Sequence, residues 1–152
     1  MNFDIPRPMK IEHEELHGAL SALTRAGGRT GDAAKAVAKV LHAHFVKENE
    51  YALPPLSLLV PLSEGKFDPA MADVLKLTDT LAAEMPAMLS EHRDIVSTLK
   101  ALTEAATSEN KPEGVQFASM LTAHAEMEEQ VTYPTALLIG RYVKSCVAQA
   151  AR

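Results

Sequence analysis

The stretch LTAHAEMEEQVTYP, residues 121–134, carries a His, a Glu four residues later and a Pro six residues beyond that. Residues 41–54, LHAHFVKENEYALP, repeat the spacing: His44, Glu48 and Pro54 against His124, Glu128 and Pro134. Composition alone would place such a triplet about 0.03 times in this chain, so two copies ask for a physical reason. Around each His the apolar residues recur at helical intervals. Phe117, Leu121, His124, Glu128 and Val131 step by four, three, four and three, one stripe of a helix facing a core. Val37, Leu41, His44, Glu48 and Tyr51 take the same steps.

Two further segments carry the pattern. Met85, Met88, His92, Ile95, Leu99 and Leu102 form one stripe, and Met9, His13, Leu16, Leu20 and Leu23 form another. The spacing and breakers predict a first helix over residues 9–26, ended by Gly27-Gly28. A second starts after Thr30 or Asp32 as N-cap and stops at Pro54-Pro55. Residues 55–67 read as a short helical piece and a loop. Asp68-Pro69 opens a third helix that runs to about residue 107, with a kink expected at Pro86. Pro112 starts a fourth, to about residue 133, and the segment beyond Pro134 is helical as well, either on its own or as a continuation of the fourth helix beyond a bend at Pro134. Aromatic residues are only 5% of the chain, so strands lack support. The expected fold is all-α: an antiparallel up-down four-helix bundle with an additional C-terminal helical segment, in one domain spanning residues 1–152. Leu137, Leu138, Ile139, Tyr142 and Val143 of that segment either cover the bundle end or make a dimer contact.

Each principal helix therefore sends a His into an apolar interior, and two send a Glu one turn below it. Burying an unpaired carboxylate is very costly, and a buried imidazole needs partners for both nitrogens. One such His would be an ordinary satisfied core residue. Four histidines and two glutamates, with no Lys or Arg on their stripes, are better explained by bound cations. Positions i and i+4 differ by about 40° around a helix and about 6 Å along it, so His and Glu so placed can reach one centre. A Pro just past each Glu should end or bend its helix there.

In these elements (IEHEELHGAL, HAHFVKENEYALPPL, MLSEHRDIVSTL and LTAHAEMEEQVTYP) the chain resembles the hemerythrin family, in its bacterial hemerythrin-like HHE cation-binding branch, over residues 9–135. The resemblance implies a four-helix bundle holding two non-haem iron ions under an oxo or hydroxo bridge. It implies His13, His44, His92 and His124 as imidazole ligands and Glu48 and Glu128 as bridging carboxylates. It further implies reaction with dioxygen, peroxide or nitric oxide. The oxygen carriers of the family have two histidines four apart on the third helix, whereas Met88 stands four residues before His92 here. That leaves two positions open on a pair of octahedral irons, where a carrier leaves one, and it puts reversible oxygen carriage in doubt. His17, one turn beyond His13, is a candidate additional metal ligand. Glu84 and Glu91 are others. Tyr51 and Tyr133 lie just past the two carboxylates and are either packing residues or hydrogen-bond partners of the ligands.

The remaining features narrow the class. The net charge is −5 and no basic run stands out, which argues against nucleic acid. The most apolar stretch, LPPLSLLVPL, is short and broken by prolines, which argues against a membrane span. One cysteine, Cys146, and the absence of an apolar leader in the first residues point to the cytoplasm. A ferritin-like carboxylate site would need Glu-x-x-His on two helices, and only Glu14 to His17 fits. A histidine phosphotransfer bundle, with His92-Arg93 as its exposed pair, leaves the doubled His/Glu spacing unexplained. Zinc is the competing metal, because imidazole suits both. Binding or sensing through a separate redox or signalling partner, and turnover as a peroxide-consuming or iron-supplying repair enzyme, both stay open, as does monomer against homodimer.

Overall fold

The computed structural model describes all of residues Met1–Arg152, and the chain is helical with no strand. Helix α1 spans Arg7–Thr24 and α2 spans Gly28–Lys47. The chain then passes through a π turn, Glu48–Ala52, a 3-10 turn, Pro54–Leu58, and the short α3, Leu59–Ser63. A second 3-10 turn, Pro69–Asp73, leads into α4, Val74–Ser108. Helix α5, Pro112–Met127, runs through another π turn, Glu128–Thr132, into α6, Tyr133–Ala150. α1 packs on α2 and α5, and α4 packs on the same two, which closes a ring of four helices. The expected bundle with its extra C-terminal segment is what forms.

Some boundaries differ from expectation for identifiable reasons. Neither Thr30 nor Asp32 caps α2, which begins earlier at Gly28. Its free N–H groups are taken from across the bundle: Glu109 accepts from Arg29 N at 3.2 Å, Thr30 N at 2.6 Å and Thr30 Oγ1 at 2.6 Å. Gly28, at φ 61°, keeps this open, since a Cβ there would stand 2.3 Å from Glu109 Oε2. Asp68 does cap, accepting from Ala70 N at 2.8 Å, but the residues it caps form a 3-10 turn before α4 proper. α4 is not broken at Pro86. Pro86 and Ala82, whose carbonyl loses its usual donor, both lie on the exposed side where water can serve instead.

The interior falls into two apolar clusters. One joins Leu16, Leu20, Val37, Leu41, Phe45, Ile95, Leu99, Phe117 and Leu121 between the four helices. The other gathers Tyr51, Leu53, Met71, Leu81, Met88, Tyr133, Ile139 and Val143, with α6 laid along α4. Ile139 and Val143 of α6 are therefore core residues covering this end, whereas Leu138 and Tyr142 face outward. Burying a side chain of this size contributes about 1.5–3 kcal/mol. Between the two clusters the packing is interrupted by a band of buried polar groups.

Candidate metal centre

The doubled spacing has a backbone meaning. In each copy the Glu is the first residue of a π turn, closed by an i+5 bond: Leu53 N–H donates to Glu48 O at 2.9 Å, and Tyr133 N–H donates to Glu128 O. The next residue is Pro, Pro54 or Pro134, which has no N–H to give the carbonyl four residues back. The regular i+4 ladder therefore stops at this point, and the wider turn takes its place. Single π turns inside helices recur at functional sites. Downstream residues are rotated by the extra residue, so Val131, expected on the core stripe, is exposed, and Thr132 and Tyr133 are buried instead.

His44, Glu48, His92, His124 and Glu128 are all buried, and His13 is half-buried. Their donor atoms form two groups: His13, Glu48, His124 and Glu128 in one, and His44, Glu48, His92 and Glu128 in the other, each within 4.8 Å throughout. The two glutamates belong to both. His44 Nε2 lies 2.9 Å from His92 Nε2 and 3.2 Å from Glu48 Oε1. His13 Nε2 lies 3.4 Å from Glu48 Oε2, and His124 Nε2 lies 2.5 Å from Glu128 Oε1 without the alignment of a hydrogen bond.

The outward nitrogens decide what the inward ones present. Glu91 lies 2.8 Å from His44 Nδ1, Glu129 2.9 Å from His92 Nδ1, and Glu12 2.7 Å from His124 Nδ1. A carboxylate only accepts, so each of these Nδ1 atoms donates, and a neutral ring then turns its Nε2 lone pair inward. Two such lone pairs 2.9 Å apart, at His44 and His92, repel unless a positive charge sits between them. Carboxylate–histidine pairs of this kind orient metal ligands.

Each of these carboxylates is the chain neighbour of one inward group yet serves another helix: Glu12 beside His13, Glu91 beside His92, Glu129 beside Glu128. Around the ring, α1 supports α5, α5 through its π turn supports α4, and α4 supports α2. The fourth link, from α2 to α1, is apolar: the Phe45 ring stacks on His13 at 4.0 Å between centroids, 9° from parallel.

The electrostatics are those of two buried carboxylates set among imidazoles. Burial pushes the Glu48 carboxyl up, but His44, Tyr133 and His13 outweigh it and hold the carboxyl below the usual carboxylate range. Burial also works against the charged form of His44, while Glu48 and Glu91 outweigh it and raise that imidazole. Burial lowers His13 and His92. A proton on His44 would thus balance Glu48, whereas Glu128 faces His124 Nε2 without the alignment of a hydrogen bond. Glu48 Oε2, Glu128 Oε2 and His124 Nε2 are buried without any hydrogen bond. Lys47, on the same helix as His44, pairs with Glu91 and not with either inward glutamate. Several kcal/mol per buried ion is at stake, and a bound cation is the simplest way to recover it. The donor set fits one: imidazoles with inward lone pairs and carboxylates with free oxygens.

Of the residues read from sequence, six converge here. His17 does not: it is exposed, in neither group, with its ring 6.3 Å from that of the exposed His42. Glu91 turns out to support His44 from outside, and Glu84 lies half-buried within reach of the Tyr51 hydroxyl's field. Tyr51 donates to Met88 Sδ at 3.5 Å, and burial with the surrounding glutamates pushes it up to about 12. Tyr133 donates to Glu48 Oε1 at 2.5 Å, and burial first, then the Glu48 charge, pushes its hydroxyl far above the ordinary phenol value. Glu12 and Glu129 escaped the sequence reading, although a carboxylate adjacent to each inward residue was their visible sign.

Fold and site together define an all-α bundle with a cation-binding core of His and Glu. The sequence pattern of the hemerythrin family, described as the Hemerythrin HHE cation binding domain, matches residues 9–136, and the chain belongs to that family. No curated protein and no solved structure matches it.

Proposed function

We propose that the chain holds two iron ions between α1, α2, α4 and α5 and binds or reacts with dioxygen, peroxide or nitric oxide. The observation that supports this most is the sharing of Glu48 and Glu128 between two four-residue donor groups. Two cations bridged by two carboxylates use that arrangement fully, whereas one cation would leave half the imidazoles without a purpose. His13 and His124 would hold one iron, His44 and His92 the other, with Glu48 and Glu128 bridging. Iron supplies electrons to a small oxidising ligand when bound. The chain supplies position, dryness and size selection. A cavity of about 20 Å³ lies on the His13/His124 side, walled by Met9, Leu53, Met127 and Thr132, and holds about one water-sized molecule. The apolar clusters above and below keep bulk water out.

The same reading takes a small diatomic ligand or peroxide as partner, with a separate redox or signalling protein, in the cytoplasm. No helix is long and apolar enough to cross a membrane. Metal analysis of the purified chain tests the centre: near two irons per chain are expected, with marked loss in His44→Ala and in Glu128→Ala. Zinc in place of iron, or full metal in both variants, overturns it. Mixing the reduced protein with oxygen and then with peroxide in a stopped-flow spectrometer separates the two activities. A lasting absorption band marks a binding or sensing protein, and catalytic loss of peroxide marks an enzyme.

A further inference from the structure

Met88 stands where the carriers of this family have a further imidazole, and it faces Tyr51. The position it leaves is approached from another direction. Tyr133 is fully buried at the start of α6. Its hydroxyl oxygen lies 3.2 Å from His44 Nε2, 3.2 Å from His92 Nε2 and 2.5 Å from Glu48 Oε1. The two imidazole nitrogens are 2.9 Å apart, and His44 Nε2 is 3.2 Å from Glu48 Oε1. In an octahedron with metal–ligand bonds of about 2.1 Å, neighbouring donor atoms stand about 3.0 Å apart. Four of these five separations, 2.9–3.2 Å, are those of neighbouring corners of one such polyhedron, and the fifth, 2.5 Å from Tyr133 to Glu48, is a short hydrogen bond. A tyrosine present only as a hydrogen-bond donor has a single proton and needs a single acceptor. Tyr133 has that acceptor in Glu48 Oε1, and in addition its oxygen sits equally far from the inward nitrogens of His44 and His92, neither of which its one proton serves.

We propose that Tyr133 is a metal ligand: its phenolate oxygen joins His44, His92, Glu48 and Glu128 on one cation. The proposal rests on the two-cation reading above. On binding, the phenolic O–H bond would break and an O–metal bond form, with the proton released to solvent, so loading releases one proton here. The cation at His44 and His92 then has one more protein ligand than the cation at His13 and His124. Exchange of small ligands is thereby confined to the latter, on whose side the 20 Å³ cavity opens. The centre is asymmetric by construction.

The test uses the full chain loaded with iron and oxidised. A visible phenolate-to-iron charge-transfer band is expected, together with tyrosinate ring vibrations in its resonance Raman spectrum. Tyr133→Phe should lose both while retaining iron. The chain has three tyrosines, so Tyr51→Phe and Tyr142→Phe, each keeping both signals, assign them to Tyr133 even if Tyr133→Phe does not fold. Two irons without tyrosinate vibrations, or the signals surviving in Tyr133→Phe, overturn the ligand assignment and leave the di-iron reading standing. A parent chain that takes up no iron overturns both.

Discussion

The Glu91 carboxylate divides itself between two partners on α2: one oxygen lies 2.8 Å from His44 Nδ1 and the other meets Lys47 Nζ. It orients an imidazole without touching the centre, so its loss should loosen metal rather than abolish binding. Glu91→Ala is expected to weaken metal affinity about 10–100-fold, the usual cost of removing such a support. Chelator competition measures this. An unchanged affinity would mean that His44 is held by packing alone.

Stripping the metal should destabilise the fold, because Glu48, Glu128 and His124 then keep buried atoms with no partner. Cation at about 100 times its dissociation constant adds about 2.7 kcal/mol, roughly 5–10 °C in Tm for a chain of this size. Calorimetry of chelated protein, titrated back with Fe(II), checks this. Identical melting with and without metal would contradict it.

Gly140 on α6 lies against Thr78 on α4, where a Cβ would come within 2.3 Å of Thr78 Oγ1 and 2.7 Å of its Cβ. Gly140→Ala gains about 1 kcal/mol of helix propensity. Overpacking typically costs about 1–3 kcal/mol, and with the short, β-branched Thr78 side chain this close the upper part of that range should prevail. The variant should unfold at lower urea concentration, and Thr78→Ala in the same chain should recover part of the loss.

Glu109 offers a test by pH away from the centre. The Thr30 hydroxyl, then the Thr30 and Arg29 amides and Lys111, hold its carboxyl below the usual range. A depressed carboxyl stabilises the fold above its unfolded value and loses that contribution as pH falls through the folded value. The Tm gap between parent and Glu109→Gln should therefore be present at neutral pH and close in acid. A gap that stays constant into acid would show that shape, and not charge, ties α2 to the end of α4.

The fold and the six inward residues were legible because both are local. A stripe at steps of three and four needs only the geometry of one helix, and a His or Glu on such a stripe announces an unpaid polar burial wherever the partner helices lie. Even the prolines at 54 and 134 could be read as helix breakers. A helix continuing past Pro134 was legible too, but not the π turn it passes through, whose one-residue phase shift moves Val131 out and Tyr133 in.

The residues that tune the centre were decided between helices. Glu12, Glu91 and Glu129 look in sequence like carboxylates on the edge of their own stripes, and each finds its histidine on a neighbour. Glu109 becomes the cap of a helix some eighty residues earlier in the chain. Such pairings depend on the azimuth and axial shift at which one helix meets the next. Those are set by how the two apolar clusters close-pack, a property of all the helices at once and of no single segment. The chain by itself thus determined that histidines and glutamates would be buried together. Only the packed bundle decided which nitrogen faces which oxygen, and that a tyrosine would stand among them.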